Sequence, residues 1–342
     1  MTARTATSPF PARLRSPLQL DPVLLGLILT LLLGGMVVLA SASISVSDNL
    51  TGEAFYYVER QLLAAVIGVA AGAACLFIPM RVWRSTGPLI LLAGLALLFA
   101  VLLPGVGYEV NGARRWIRFG VLNLQVSEPA RLCFIIYLAG YLVRRNKDLR
   151  ERFSGFLKPM IVMSIACAAL LAEPDFGAAI VLLATALTML FVAGARIRDF
   201  LIFFAAGTVA MAFLAVTSPY RMKRLTGFLD PWSDPYDSGF QLTQSLIAIG
   251  RGEWFGVGLG NSVQKLFYLP EAHTDFVFAV YAEEFGLAGS AILIGLFAAL
   301  LWRIFRLGIR AIESDRSFEA YVAIGCLLYT SPSPRDLLRY LV

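Results

Sequence analysis

The chain has 342 residues, 58% of them hydrophobic and 15% charged, with a mean hydropathy of +0.73. These values exclude an ordinary water-soluble globular domain and indicate an all-α polytopic membrane protein. The formal net charge of +6 comes from basic residues in connections between apolar spans, a distribution that excludes a nucleic-acid binder.

Residues 1–20 read as a polar, proline-containing cytoplasmic tail. Arg13 and Arg15 precede an apolar run that ends in Leu39-Ala-Ser-Ala42, as in a signal peptide. That run is long enough to span and many spans follow, so it reads as an uncleaved first helix. Crossing a bilayer takes about 20 mostly apolar residues. The sequence predicts about eight complete spans, at roughly 21–42, 61–80, 86–104, 127–143, 157–173, 176–194, 199–217 and 275–304. A ninth apolar stretch, about 318–330, is too short to cross. Residues 21–330 read as one transmembrane domain and 331–342 as an atypical C-terminal end. Cys75, Cys133, Cys167 and Cys326 all lie in apolar stretches and read as packing residues. No Cys/His spacing suits a metal.

Lys and Arg number 17 on the side that carries the tail and the 144–158 connection, against 10 on the other side. The positive-inside rule places the first side, with the N-terminus, in the cytoplasm. The ten on the other side fall mainly in two loops, 105–126 and 218–274, where the rule disfavours them.

In the first of these loops, Arg114, Arg115 and Arg118 interleave with Trp116 and Phe119 after an Asn111-Gly112 turn signal. Two readings stay open: an interfacial hairpin with Trp and Arg at headgroup level, or a phosphate site, because the guanidinium fork matches phosphate oxygens. Ser127, Glu128 and Pro129 then open the fourth span. Glu128 and Arg131 are spaced i,i+3 and can pair on one face, as a structural salt bridge, a substrate contact or both. Glu173-Pro-Asp175 is a tight turn between spans whose acids read as capping devices.

The 218–274 loop is too long to be structureless without a function. It opens with Arg221, Lys223 and Arg224, includes an amphipathic or re-entrant segment at Gln241–Ile249, and continues into a glycine-rich run at Gly250–Gly260. That run lets backbone approach a ligand closely, but no Gly-Lys-Ser/Thr follows it, so it is not a P-loop. The loop ends in Tyr268-Leu-Pro-Glu-Ala-His273-Thr-Asp275, which leads into a span carrying Glu283 and Glu284. Acids in hydrocarbon are costly and need a reason to be there. Asp275, at the membrane edge, is the best candidate for a general base. Glu283 and Glu284 lie about 12–13 Å further along a helix and read as polar contacts between spans. His273, the only histidine, reads equally as a base or as a hydrogen-bonding structural group.

Taken together, several stretches resemble the SEDS (shape, elongation, division, sporulation) family of cell-wall polymerases, and its division branch in particular. They are Asn111-Gly-Ala-Arg-Arg-Trp116, Ser127-Glu128, Pro174-Asp-Phe-Gly177, Tyr220-Arg-Met-Lys-Arg224, Phe228-Leu-Asp-Pro231, Gly239-Phe-Gln241, Gly256–Gly260, His273-Thr-Asp275-Phe and Glu283-Glu284. The resemblance covers about residues 20–325. Arg131 stands where the family pattern has Lys, and Val126 where Pro is common. Family members have ten spans, whereas here the ninth stops near Cys326 and Pro332 and Pro334 follow it. This reads as a truncated or misassembled end. A stub of about 12 residues makes roughly 18 Å of helix against about 30 Å of hydrocarbon, so the chain is expected to be less stable than a ten-span version and inactive.

The resemblance implies a peptidoglycan glycosyltransferase that polymerises lipid II into glycan strands during septal wall synthesis at the inner membrane. An acceptor hydroxyl attacks the anomeric carbon of a donor held on undecaprenyl pyrophosphate. The implied roles are Asp275 as catalytic base, with Arg114, Arg115, Trp116, Glu128, Arg131, Arg221, Lys223, Arg224 and His273 at the substrate. A divalent cation, Mg or Mn, is an expected companion of the pyrophosphate, with Asp275 as its ligand. The implied partners are a class B penicillin-binding transpeptidase and other divisome proteins. Two other classes stay open: a lipid II flippase or transporter, which the intramembrane acids also suit, and a non-catalytic divisome scaffold.

Overall fold

The computed structural model describes residues 20–330, apart from 111–112, 120–121, 219–221, 223–225, 238 and 267. Each of the eight predicted spans is a helix. They are α1 (Pro22–Thr51), α2 (Tyr56–Leu76), α3 (Met80–Leu102), α4 (Ser127–Arg144), α6 (Phe153–Ala172), α7 (Phe176–Val192), α8 (Ile197–Val216) and α10 (Val277–Glu313). A short α5 (Asn146–Glu151) precedes α6, the amphipathic α9 (Phe240–Arg251) lies in the long loop, and α11 (Ser317–Thr330) is the predicted short ninth stretch. Six helices, α1, α2, α3, α6, α8 and α10, are long and apolar enough by themselves to cross a membrane.

The 105–126 loop is more ordered than a hairpin. It forms a three-stranded antiparallel sheet of β1 (Tyr108–Val110), β2 (Ala113–Phe119) and β3 (Leu122–Gln125), in the order β1-β2-β3. Trp116 sits opposite both Tyr108 and Gln125 and so fixes the register on either side. The Asn111-Gly112 turn signal lies outside the described residues.

Local chemistry sets the helix ends. Pro22 suits the first turn of α1, and Asp21 accepts from the backbone N–H groups of Val23 (3.1 Å) and Leu24 (3.0 Å). The far carboxylate oxygen of Asp21 accepts from Arg303 Nη2 at 2.6 Å, which ties the start of α1 to the distal half of α10. Gly52 closes α1 in the left-handed region with φ 73°.

Two buried clusters hold the bundle. The larger is built from α3, α4, α6, α7 and α11, around Leu98, Phe134, Leu138, Phe156, Met163 and Met189. The smaller joins Ala42 of α1 and Ala248 of α9 to Leu269, Ala272, Phe276, Ala279 and Val280. Beyond their polar first turns, helices α2 and α8 are apolar and bury almost nothing, as expected of helices whose solvent is lipid.

Helix α10 departs from the expected continuous span. Gly286 is non-helical (φ 65°, ψ −163°) and divides the helix. Backbone groups freed inside a membrane need partners, and the 252–258 segment supplies them. Val257 and Gly258 donate N–H to the carbonyls of Glu283 and Glu284, while Leu287 and Ala288 donate to the carbonyls of Glu253 and Trp254. A Cβ on Gly256 would lie 2.1 Å from the Glu284 oxygen, so only glycine permits this approach. The glycine-rich run thus contacts the chain's own broken helix.

Candidate active site

The predicted site residues fall into two groups of described contacts. The first surrounds the sheet. Arg114 is exposed and its Nε pairs with Glu109 at 3.2 Å. Arg115, its neighbour on β2, donates from Nη2 to the carbonyl of Pro174 at 3.0 Å, which docks the sheet on the α6–α7 turn. Gln125 donates to Asp175 at 3.3 Å from β3, and Asp175 also accepts from the Ala178 N–H, capping α7 as anticipated. Trp116 is half-buried in the central strand. Glu128 and Arg131 pair at 3.3 Å, with Arg131 buried among the helices. Arg118 lies over the Tyr108 ring, 3.3 Å from its centroid, which gives this third arginine a local role.

Glu173 is fully buried, and neither carboxyl oxygen has a hydrogen-bond partner among the described residues. Burial, with Asp175 adding to it and Arg115 opposing, pushes its carboxyl up to about 8. The sequence reading had treated Glu173 as a cap. Only Asp175 does that work.

The second group lies where the long loop meets α10. Asp275 is exposed, two residues before the first helical residue, and Phe276 rather than Asp275 takes the capping position. His273 packs against the Tyr57 ring of α2 with centroids 4.6 Å apart. Its Nδ1 is buried without a hydrogen-bond partner among the described residues. Burial holds the imidazole below its usual range, against the pull of the Glu271 and Asp275 carboxylates. Arg221, Lys223 and Arg224 lie outside the described residues.

Glu283 and Glu284 are both buried and act as expected, as polar contacts between elements. Glu283 accepts from Ser262 Oγ (2.5 Å) and the Val263 N–H (3.1 Å), with Arg251 Nε 3.7 Å away. Glu284 accepts from Lys265 Nζ (2.8 Å) and from Ser41 Oγ of α1 (2.7 Å). Lys265 is the residue that sequence reasoning missed. It had counted only as one of the loop's basic residues, and the long separation from its partners in α1 and α10 carries no periodic signal.

The sequence pattern of the FtsW/RodA/SpoVE family, described as cell cycle protein, matches residues 22–331. The chain belongs to this family. Among curated FtsW/RodA/SpoVE-type relatives, it is 52% identical over 304 residues to the probable peptidoglycan glycosyltransferase FtsW of Thioalkalivibrio sulfidiphilus, covering 89% of this chain and 76% of that one. It is 54% identical over 291 residues to the protein of the same name from Alkalilimnicola ehrlichii, covering 85% and 73%. Among solved structures, a chain from work on structural coordination of polymerization and crosslinking by a peptidoglycan synthase complex superposes with TM-score 0.71 at 28% identity, over 91% of this chain and 83% of that chain. The rod shape determining protein RodA of Thermus thermophilus superposes with TM-score 0.64 at 26% identity, over 95% and 94%. The SEDS resemblance and the membrane-helical fold are thereby established. In this FtsW/RodA/SpoVE chain one group offers an exposed carboxylate just ahead of a helix with a neighbouring imidazole, and the other offers exposed guanidinium groups on a small sheet. These are the elements of proton transfer and anion binding.

Proposed function

We propose that this chain is a peptidoglycan glycosyltransferase that polymerises lipid II, the undecaprenyl-pyrophosphate-linked disaccharide-peptide, into glycan strands for septal wall synthesis in cell division. The observation that carries this reading is the exposed carboxylate of Asp275 just ahead of the broken helix α10, in a chain about half identical to proteins named for this activity. The acceptor sugar hydroxyl forms a bond to the anomeric carbon of the donor while Asp275 takes its proton. The anomeric carbon–oxygen bond breaks, and undecaprenyl pyrophosphate leaves with the electron pair. Arg114, Arg115, Arg221, Lys223 and Arg224 supply cations for the pyrophosphate, and Trp116, Glu128 and His273 line the substrate's approach, with the buried Arg131 holding Glu128 from behind. Arg114 is the described arginine best placed for this, since it is exposed and its exposed pair with Glu109 is weak.

Among the described residues, no three of His, Cys, Asp or Glu converge as a metal cage. A Mg or Mn ion arriving with the pyrophosphate, held by Asp275, would help neutralise the leaving group.

The protein is proposed to sit in the bacterial inner membrane at the septum with its N-terminus in the cytoplasm. Its partners would be a class B penicillin-binding transpeptidase and other divisome proteins. Tyr236 is 90% exposed in the long loop. A Tyr236→Cys probe in a cysteine-free background should label from outside intact cells, and labelling only after lysis would reverse the orientation.

The deciding experiment incubates a purified ten-span version of the protein, with and without its transpeptidase, with labelled lipid II. Glycan strands are the expected product. The broken helix α10 favours a second reading, lipid II transport, because discontinuous helices recur in transporters. Lipid II crossing vesicles containing the protein, with no strands formed, would select it.

A further inference from the structure

A cavity of about 410 Å³ opens between the outer half of α1 and the 260–266 segment, within the range of about 300–1,000 Å³ typical of small-molecule sites. Its polar lining is Ser41 and Ser45, one turn apart on α1, with Asn261, Ser262 and Lys265 opposite. Ile44 and Leu266 supply apolar wall.

The charges at this wall cancel. Lys265 Nζ is held by Glu284 at 2.8 Å and by Ser41 Oγ at 3.0 Å. Ser262 Oγ is held by Glu283, which also lies 3.7 Å from Arg251 Nε. A phosphate in the cavity would have to compete with Glu284 for the one ammonium and would face a second carboxylate behind Ser262. A neutral ligand faces no such cost. Ser45 presents a hydroxyl that both donates and accepts, and Asn261, whose NH2 donates to the Val257 carbonyl at 3.2 Å, keeps an amide oxygen as acceptor. Paired hydroxyl and amide groups beside aliphatic wall match the polar rim and apolar face of a pyranose ring.

The cavity and the proposed reaction centre border the same buried cluster. Ala42, next to Ser41, lies in the same buried cluster as Phe276, next to Asp275.

We infer that the Ser41–Ser45/Asn261–Lys265 cavity is a subsite for an uncharged, amide-bearing sugar unit, distinct from the arginines proposed to take the pyrophosphate. This inference rests on the proposed polymerase reading for its use in the reaction, but its binding test does not need activity.

The test places a single thiol in the cavity mouth as Leu266→Cys in a cysteine-free background of the full chain, which keeps every polar group of the lining. Leu266 is exposed, so the thiol is open to maleimide. A soluble N-acetylglucosamine oligomer should slow labelling several-fold, while inorganic pyrophosphate at the same concentration should not. Protection by pyrophosphate, or none by the oligomer, overturns the inference. Ser45→Phe, which fills the cavity from α1, should abolish protection by the oligomer while leaving basal maleimide labelling in place. If that variant does not fold, Ser45→Ala, which removes only the hydroxyl, should weaken protection. In strand synthesis from lipid II, cavity-filled protein should make shorter strands if the sugar belongs to the growing chain, or need more lipid II for the same rate if it belongs to the monomer. Parental lengths and parental concentration dependence from a folded, filled variant overturn the subsite. A parent that binds the oligomer yet makes no strands would instead sink the polymerase reading and leave the sugar site standing.

Discussion

Lys265 Nζ sits 2.8 Å from Glu284 Oε1, a buried ion pair that joins the long loop to the broken helix α10 and, through Ser41, to α1. Breaking one side of a buried pair leaves an uncompensated charge, which typically costs about 3–5 kcal/mol. Lys265→Met and Glu284→Gln should each lower the thermal midpoint in detergent markedly. The double variant, which removes both charges, should recover much of the loss. A double variant as unstable as the sum of the two singles would show that the pair is not the coupled unit described here.

The eight spans were legible because hydropathy over about 20 residues is a strong signal. So was the Glu128–Arg131 pair, whose i,i+3 spacing lies within one helix. What the sequence concealed depends on long-range approach. The Arg115–Pro174 contact spans 59 positions and the Ser41–Glu284 contact 243, and neither leaves a periodic trace. The break at Gly286 was hidden because a single glycine in an apolar run is tolerated within a helix, and only the 252–258 segment packed against it forces the departure. Conversely, Glu173 and Asp175 look alike in the turn, yet Asp175 caps a helix and Glu173 is buried with no hydrogen-bond partner among the described residues.

The interlock of the 252–258 segment with α10 gives a second prediction. Gly256 has φ +80°, and a Cβ there would meet the Glu284 carbonyl at 2.1 Å. Gly256→Ala should destabilise the protein by at least about 1–3 kcal/mol from backbone strain alone. Gly68→Ala in α2 is the control, because nothing lies within 4 Å of its added methyl. Equal thermal midpoints for the two variants would mean that the interlock is not rigid.

Glu173 should make stability depend on pH in a defined direction. Its folded value of about 8 lies above the ordinary 4.5, so the folded state holds a proton that the unfolded state has lost between those limits. Its favourable contribution is complete below about pH 4.5 and is lost as pH rises through about 8. Glu173→Gln, which keeps the shape and carries no charge, should flatten that decline and be the more stable protein at pH 8.5. A decline of unchanged slope in the Gln variant would assign it to other groups.

Asp275 carries the last prediction. It lies just ahead of α10, two residues before the first helical residue. It is exposed, so a substrate hydroxyl can reach it. Asn at this position keeps the size and most of the hydrogen bonding but cannot accept the proton. In a ten-span version, Asp275→Asn should therefore insert, melt and bind a transpeptidase as the parent does, while glycan synthesis falls by about 100- to 10,000-fold, the usual cost of losing a general base. Asp275→Glu keeps the charge but moves the carboxylate by about the length of one methylene, and a misplacement of about 1 Å is costly, so it should retain little activity. The measurement is strand synthesis from labelled lipid II at matched protein level. Near-parental synthesis by the Asn variant would remove Asp275 from the mechanism. The base would then be sought at His273, which packs against the Tyr57 ring with centroids 4.6 Å apart.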